Sequence, residues 1–532
     1  MTVRCGDTLL FQTLPVIAAG AAVGGKKESE GPLAAEFDEL SADNRFGQSN
    51  WEAAEKYLQL RAARLCLQKA ALPQEKVQLA LAGDLQAQCT ASSYAMRELG
   101  VPFAGLFGAR AVICLLILCL VGYLCGLWAQ KGSRMAMWLG ILLCLVPLAS
   151  YKYLPLASPA LFESLVAPVG LSFYVFKTIS YLADVAKGRI PAEKCPLCYF
   201  NYVGFFPQLA SGPIQRAESL LPQLKALFSA FDRALACTGC VRFCWGMFLK
   251  KCLADQLAGY QGALYQPDHY YSLGIVWSLL AYTLYLYFDF ASYSQMSIGV
   301  ANLLGIRVEE NFLSPYFSRS IGEFWRRWHV SLSSFLRDYI YIPLGGSRNG
   351  VPVLILATMV TFVASGAWHG ATAGFLVWGA LHGIYLLIGR ATKKARSRFW
   401  GTLHQSENSP LRSVAGCLFT FLLVNIGWFF FMTGTLHQAQ LVAQYLFQPI
   451  PFSLQYLKES FTQLGYTTTT MLRLGLFALL AAGIDWLSRK EGFGAWAARQ
   501  KPVLLVVLCY LCVFASLFFG AAGTLQNVYF AF

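Results

Sequence analysis

Apolar runs of about 12–20 residues recur from Ala111 onward, separated by short polar or basic connections. They are Ala111–Trp128, Met135–Ser150, Ser272–Phe288, Val351–Ala367, Gly374–Gly389, Val414–Met432, Met471–Ala482 and Pro502–Ala521. A helix needs about 20 such residues to cross a bilayer, and several of these runs reach or approach that length. Glycine and proline inside them do not argue against helix, because backbone groups at membrane depth pair within the protein. The pattern predicts one polytopic helical membrane domain. Residues 1–107 lack it. There, Ser49–Ala70 reads as an amphipathic helix with Trp51, Ala54, Leu58, Leu65 and Leu67 apolar, and Ser49 with Glu52 suits a capping box. Ala82–Leu85 and Leu99–Leu106 read as short buried strands, and Leu9–Gly25 does not read as a signal peptide.

Composition supports the membrane assignment: 56% of residues are hydrophobic and 13% charged, against about 25% charged in soluble domains. The net charge of +14 does not imply a nucleic-acid partner. Its excess lies beyond residue 110, in short loops such as Arg390–Arg398 and Arg489–Lys501, where basic residues set topology beside anionic lipid. The expected partner is the lipid bilayer. The 16 cysteines fall mostly in apolar runs, where they pack as small hydrophobes. The pairs Cys195/Cys198 and Cys237/Cys240 are too far apart for a zinc ribbon, so no metal is expected.

Ionisable residues among apolar ones are then the functional candidates. The stretch Ser320–Gly350, SIGEFWRRWHVSLSSFLRDYIYIPLGGSRNG, holds His329, Arg326, Arg327, Arg337 and Asp338. Ser320 and Glu323 form a capping box, predicting a helix from there through Tyr341. On it Trp325, His329, Leu332 and Leu336 share a buried face, while Arg327, Ser331, Ser334 and Asp338 share a charged one. His369 lies in Trp368-His369-Gly370 between two apolar helices. A neutral imidazole there suits general-base work, and the alternative is a core histidine bonded to a backbone carbonyl. Arg326, Arg327 and Arg337 suit either donor phosphates or lipid headgroups. Asp338 is expected to pair with an arginine, and His382 to serve packing or a helix–helix hydrogen bond. Asp289 is an intramembrane carboxylate, a candidate or the partner of a basic loop residue. His269, His404 and His437 lie in polar loops and read as surface residues.

These motifs, with PVGLSFYVFKTISYLADV at Pro168–Val185, FFPQLASGPIQR at Phe205–Arg216, FDFASYSQMSIGVANLLGI at Phe288–Ile306 and FLVWGALHG at Phe375–Gly383, carry a resemblance. Residues 108–532 resemble the membrane-bound O-acyltransferase family, in particular its alginate O-acetyltransferase-like branch. The resemblance implies an all-α polytopic membrane fold of about 9–11 membrane helices, with a short α/β fragment before it. It implies transfer of an acyl group, acetyl, from a cytoplasmic thioester (acetyl-CoA or an acyl-carrier thioester, with no bound cofactor) to hydroxyls of an exported polysaccharide. His369 would be the essential histidine, assisted across a channel by His329 within about 10 Å. Arg326, Arg327, Arg337, Trp325 and Trp368 would bind substrate or donor, and an extracytoplasmic partner with an esterase-type fold would complete the system. Where similar sequences carry an aspartate, this chain has Gln295. The alternatives are D-alanyl transfer to teichoic acid, which YIPLGGSRNG argues against, and a non-catalytic transporter or scaffold, for which no internal repeat is found.

Residues 1–107 carry a second resemblance, in PVIAAGAAVGGKKESEGPL, WEAAEKY, LALAGDLQAQ and MRELGVPFAGLFGA, to stage V sporulation protein AD, a thiolase-like fold. Only part of one half of such a fold is present, and the first helices of the acyltransferase family have no counterpart here. The expectation is a fusion joined at residues 107–111, inactive in one of the alternatives, in the cell membrane of a bacterium of a spore-forming lineage.

Overall fold

The recurring apolar runs fold as helices, and the segment before them as short strands around one helix. A computed structural model describes residues 2–5, 8–11, 19–31, 34–48, 51–74, 77, 80–82, 98, 103–105, 109–157, 168, 170–226, 232–406, 409–451 and 453–521. The chain divides into two compact units, Met1–Cys114 and Leu115–Phe532.

In the first unit, strands Thr2–Cys5 and Thr8–Phe11 pair antiparallel. Val23–Gly24 pairs parallel with Glu39–Leu40, and Ala80–Ala82 parallel with Phe103–Gly105. The expected helix is present at Trp51–Lys69; Ser49 and residues 83–85 lie outside the described residues. Trp51 departs from expectation. It is 55% exposed, with the Arg45 guanidinium 5.1 Å above its ring, a cation–π contact in place of burial.

In the second unit, seven helices among the described residues are long and apolar enough to cross a membrane: Arg134–Leu154, Ser272–Leu303, Val351–His369, Ala373–Ala391, Pro410–Thr433, Thr468–Ser488 and Pro502–Phe519. The family-based expectation is nine to eleven; Ile113–Ala129 is a further apolar helix but a shorter one, and two other helical segments differ in length and charge. Leu171–Ala186 is only 16 residues long and almost wholly buried in protein. The helical path from Arg233 to Ala258 carries Arg242, Lys250, Lys251 and Asp255. Ser272–Leu303 is central, with 67% of its most apolar window buried.

Small residues let these helices approach closely. A Cβ on Gly366 would sit 2.3 Å from the Phe375 carbonyl oxygen, and one on Gly379 2.3 Å from that of Phe362. The helices Val351–His369 and Ala373–Ala391 therefore touch backbone to backbone. Gly366→Val and Gly379→Val are each expected to cost about 1–3 kcal/mol of overpacking. The measurement is the melting temperature in detergent, and an unchanged midpoint would mean that the two helices separate freely.

Candidate functional site

The expected single helix from Ser320 to Tyr341 is broken. Ser320 caps it, its Oγ accepting from the Glu323 N–H at 3.2 Å, whereas the Glu323 carboxylate accepts from the Arg319 N–H at 2.9 Å, one residue before the position the expected capping box calls for; helix Ile321–Arg327 follows. The chain then leaves the helix at Trp328, and His329 adopts φ 43°, ψ 58°, in the left-handed region. Such a conformation costs a non-glycine residue about 1–3 kcal/mol and persists only when its surroundings impose it. Helix Val330–Leu336 and a π-helical turn, Arg337–Tyr341, complete the segment.

The irregular connection 311–313 meets the chain at the break. The Leu313 N–H donates to the Arg327 carbonyl and the Val330 N–H to the Asn311 carbonyl, both at 2.9 Å. The Ser331 hydroxyl donates to Asn311 Oδ1 at 2.9 Å. Backbone groups freed by the break are thus satisfied, as burial requires. The burial pattern expected of an unbroken helix survives: Trp325, His329, Leu332 and Leu336 are all at least nine-tenths buried.

His329 Nδ1 lies 3.1 Å from Asn311 Oδ1. The Asn311 amide nitrogen contacts Ser294 Oγ at 3.1 Å, and the Ser331 backbone N–H, which can only donate, meets Asn311 Oδ1 at 3.3 Å and so fixes the oxygen towards the imidazole. An amide oxygen only accepts, so this network assigns the proton to Nδ1 and leaves the lone pair on Nε2. Burial takes the pKa of His329 down to about 3, keeping the ring neutral at physiological pH.

His369 is the last residue of Val351–His369, 5% exposed, with the rings of Trp378 and Phe431 each 5.1 Å away. The Trp368 indole lies 4.6 Å from the His369 ring and 6.4 Å from the His329 ring. One indole thus lies beside both imidazoles. Gly370, the third residue of the motif, makes room for Phe375, whose ring would meet a Cβ at 2.3 Å.

His382 is fully buried and accepts at Nδ1 from the Trp325 indole N–H at 3.2 Å, so it serves the helix–helix contact expected of it. That bond places Trp325 in the aromatic core beside Phe362 and Trp378. The three arginines have separate surroundings. Arg326 is exposed. Arg327 pairs with Glu323 at 2.8 Å and donates to the Leu313 carbonyl. Arg337 pairs with Asp338 at 2.8 Å, and Asp338 also meets Arg216 at 3.4 Å. Asp338 is thus an arginine partner, as expected. His269, His404 and His437 are exposed.

Asp289 shares an ammonium. Lys250 Nζ lies 2.7 Å from both Asp289 and Asp255, whose side chains are completely buried. Lys250 comes from a π-helical turn, Leu249–Ala254, rather than from a loop. Removing it would take a close cation from both carboxylates, leaving Asp255 with Lys251 at 3.8 Å, so Lys250→Met is expected to destabilise by about 3–5 kcal/mol. Adding Asp255→Asn and Asp289→Asn should recover much of the loss in detergent melting. A triple variant no more stable than the single one would contradict this. Gln295, where an aspartate was expected, accepts from Arg242 at 2.7 Å, while Glu310 supplies the carboxylate paired with that arginine.

Sequence reasoning passed over two residues of the site. Asn311 orients His329. Lys152 donates from its ammonium to the Trp368 carbonyl, and its neighbour Tyr153 donates from its hydroxyl to the Ala367 carbonyl at 2.8 Å. A lone lysine ending an apolar run was the available signal for Lys152. Nothing in local spacing pointed to Asn311. Among the described residues no group of three His, Cys, Asp or Glu side chains is arranged to hold a metal ion.

The chain is similar in sequence to known proteins. The family model for the membrane-bound O-acyltransferase family matches residues 195–414. A probable alginate O-acetylase of Azotobacter vinelandii is 37% identical over 358 residues, 64% of this chain and 68% of the relative. The chain belongs to the membrane-bound O-acyltransferase family and is a multi-pass membrane protein. It is also similar to a probable alginate O-acetylase of Pseudomonas putida, 40% identical over 53% of this chain and 55% of the relative. A peptidoglycan O-acetyltransferase of Helicobacter pylori is 33% identical over 52% of this chain and 56% of the relative. The chain spans about half the length of the curated Pseudomonas relatives it matches. A separate family model, for stage V sporulation protein AD, matches residues 5–121.

Proposed function

We propose that this chain is an O-acyltransferase that moves an acetyl group from a cytoplasmic thioester to a hydroxyl of an exported polysaccharide. The observation that carries the reading is the pair of buried imidazoles flanking Trp368, one of them with its Nε2 lone pair set by Asn311. His369 takes the proton of the acceptor hydroxyl as its oxygen attacks the thioester carbonyl. The C–S bond then breaks, and the proton returns to the leaving thiolate. His329 offers its Nε2 lone pair to a neighbouring hydroxyl of the same sugar, which orients the attacking oxygen.

Relatives named for O-acetylation of alginate and of peptidoglycan support a polysaccharide acceptor. They also support acetyl over D-alanyl as the group carried. Acetyl-CoA or an acetylated carrier protein is the donor, and an extracytoplasmic partner with an esterase-type fold completes the system. The test uses the full chain in nanodiscs with a radiolabelled acetyl thioester and alginate or peptidoglycan fragments, with and without that partner. Label is expected on the polysaccharide. Hydrolysis without transfer to any glycan would overturn the reading.

A further inference from the structure

We propose that Lys152 is a positioning residue for His369, fixing the end of the helix that carries it. This rests on the reading of His369 as the base. A helix leaves its last four carbonyls without partners of its own. In Val351–His369, the Gly366 carbonyl is taken by the Gly370 N–H at 3.2 Å. The Ala367 carbonyl accepts from Tyr153 at 2.8 Å, and the Trp368 carbonyl accepts from the Lys152 ammonium. Two consecutive residues of helix Arg134–Ala157 thus close two consecutive carbonyls of the turn that ends in His369.

The same ammonium lies 5.4 Å from the centre of the Trp368 ring, within cation–π range. That ring flanks both imidazoles. A charge near the end of an apolar helix is costly unless something there requires it, and among the described residues Lys152 makes no ion pair with a carboxylate. What it faces is a carbonyl at the negative end of a helix dipole and the face of an indole, both of which attract a cation. Lys152 therefore holds the main chain and the side chain of the residue preceding His369, and so sets the direction of the imidazole relative to His329.

The test compares Lys152→Met and Lys152→Arg in the full chain in nanodiscs, with two readouts. In hydrogen–deuterium exchange, amides of residues 366–371 are expected to exchange about tenfold faster in Lys152→Met and close to the wild-type rate in Lys152→Arg. In the transfer assay, Lys152→Met should lower kcat about 10–100-fold with KM for the thioester within about twofold, and Lys152→Arg should recover most of it. If Lys152→Met does not reach the membrane, Lys152→Gln, which keeps an N–H for the carbonyl but no charge, is expected to exchange faster and turn over more slowly than Lys152→Arg, and wild-type behaviour in Lys152→Gln would overturn the proposal. Wild-type exchange and turnover in Lys152→Met would overturn the proposal, as would equal damage by methionine and arginine. If the wild-type chain transfers no acetyl group, the exchange arm still decides the role of Lys152, and the base assignment fails separately.

Discussion

His369→Ala is expected to abolish acetyl transfer while leaving expression and membrane insertion close to wild type. A positioned general base contributes about 10²–10⁴-fold, and the imidazole it removes sits among Trp368, Trp378 and Phe431 rather than in an ion network. Truncation leaves a small cavity but no stranded charge, so the fold should tolerate it far better than the chemistry does. The measurement is the initial rate of label transfer, normalised to protein recovered from the membrane fraction. Retention of more than about a tenth of the wild-type rate would remove His369 from the base role.

The second large effect is expected at His329, and there the variant must respect the backbone. Because the residue is left-handed, asparagine, which tolerates that region better than most residues, separates ring chemistry from strain. His329→Asn should keep its melting temperature within a few degrees and lose about 10²-fold in kcat, with little change in KM for the thioester donor. Asn311→Leu should follow it in part, since it frees the ring and also removes the bonds that Asn311 Oδ1 accepts from Ser331. A loss confined to KM in His329→Asn would place the ring in donor binding instead.

How much of this was legible beforehand follows from which interactions are local. The spans were visible because about 20 apolar residues have few alternatives to crossing a bilayer. The sorting of histidines was visible for the same reason. His329, His369 and His382 lie in apolar surroundings and are at least 95% buried, whereas His269, His404 and His437 are exposed, although His437 lies in the helix Leu436–Leu446 and His269 in a 3-10 turn rather than in loops. The Ser320 cap is a contact across three residues and was read correctly.

The break at Trp328–His329 was hidden, because the bonds that replace the helical ones come from Asn311 and Leu313, in a connection with no periodicity. The pairing of Asp289 was half legible. An intramembrane carboxylate calls for a cation, but only the tertiary fold shows that Lys250 serves Asp255 as well. Gln295 first looks like a lost carboxylate, until Glu310 is found on the same arginine. The grouping of Arg326, Arg327 and Arg337 came from adjacency and motif. Arg326 and Arg327 diverge because successive helical positions point about 100° apart, and Arg337 lies beyond the break, in the π-helical turn Arg337–Tyr341.

The central claim is that the space beside Trp368, between His329 and His369, is where the acyl group is transferred. The most direct measurement is photolabelling of the full chain in nanodiscs with a thioester whose short acyl group carries a diazirine, followed by peptide mapping. Label is expected on peptides containing His329 or Trp368-His369, suppressed by excess acetyl thioester. Label that excess acetyl thioester suppresses but that falls on neither peptide would contradict it.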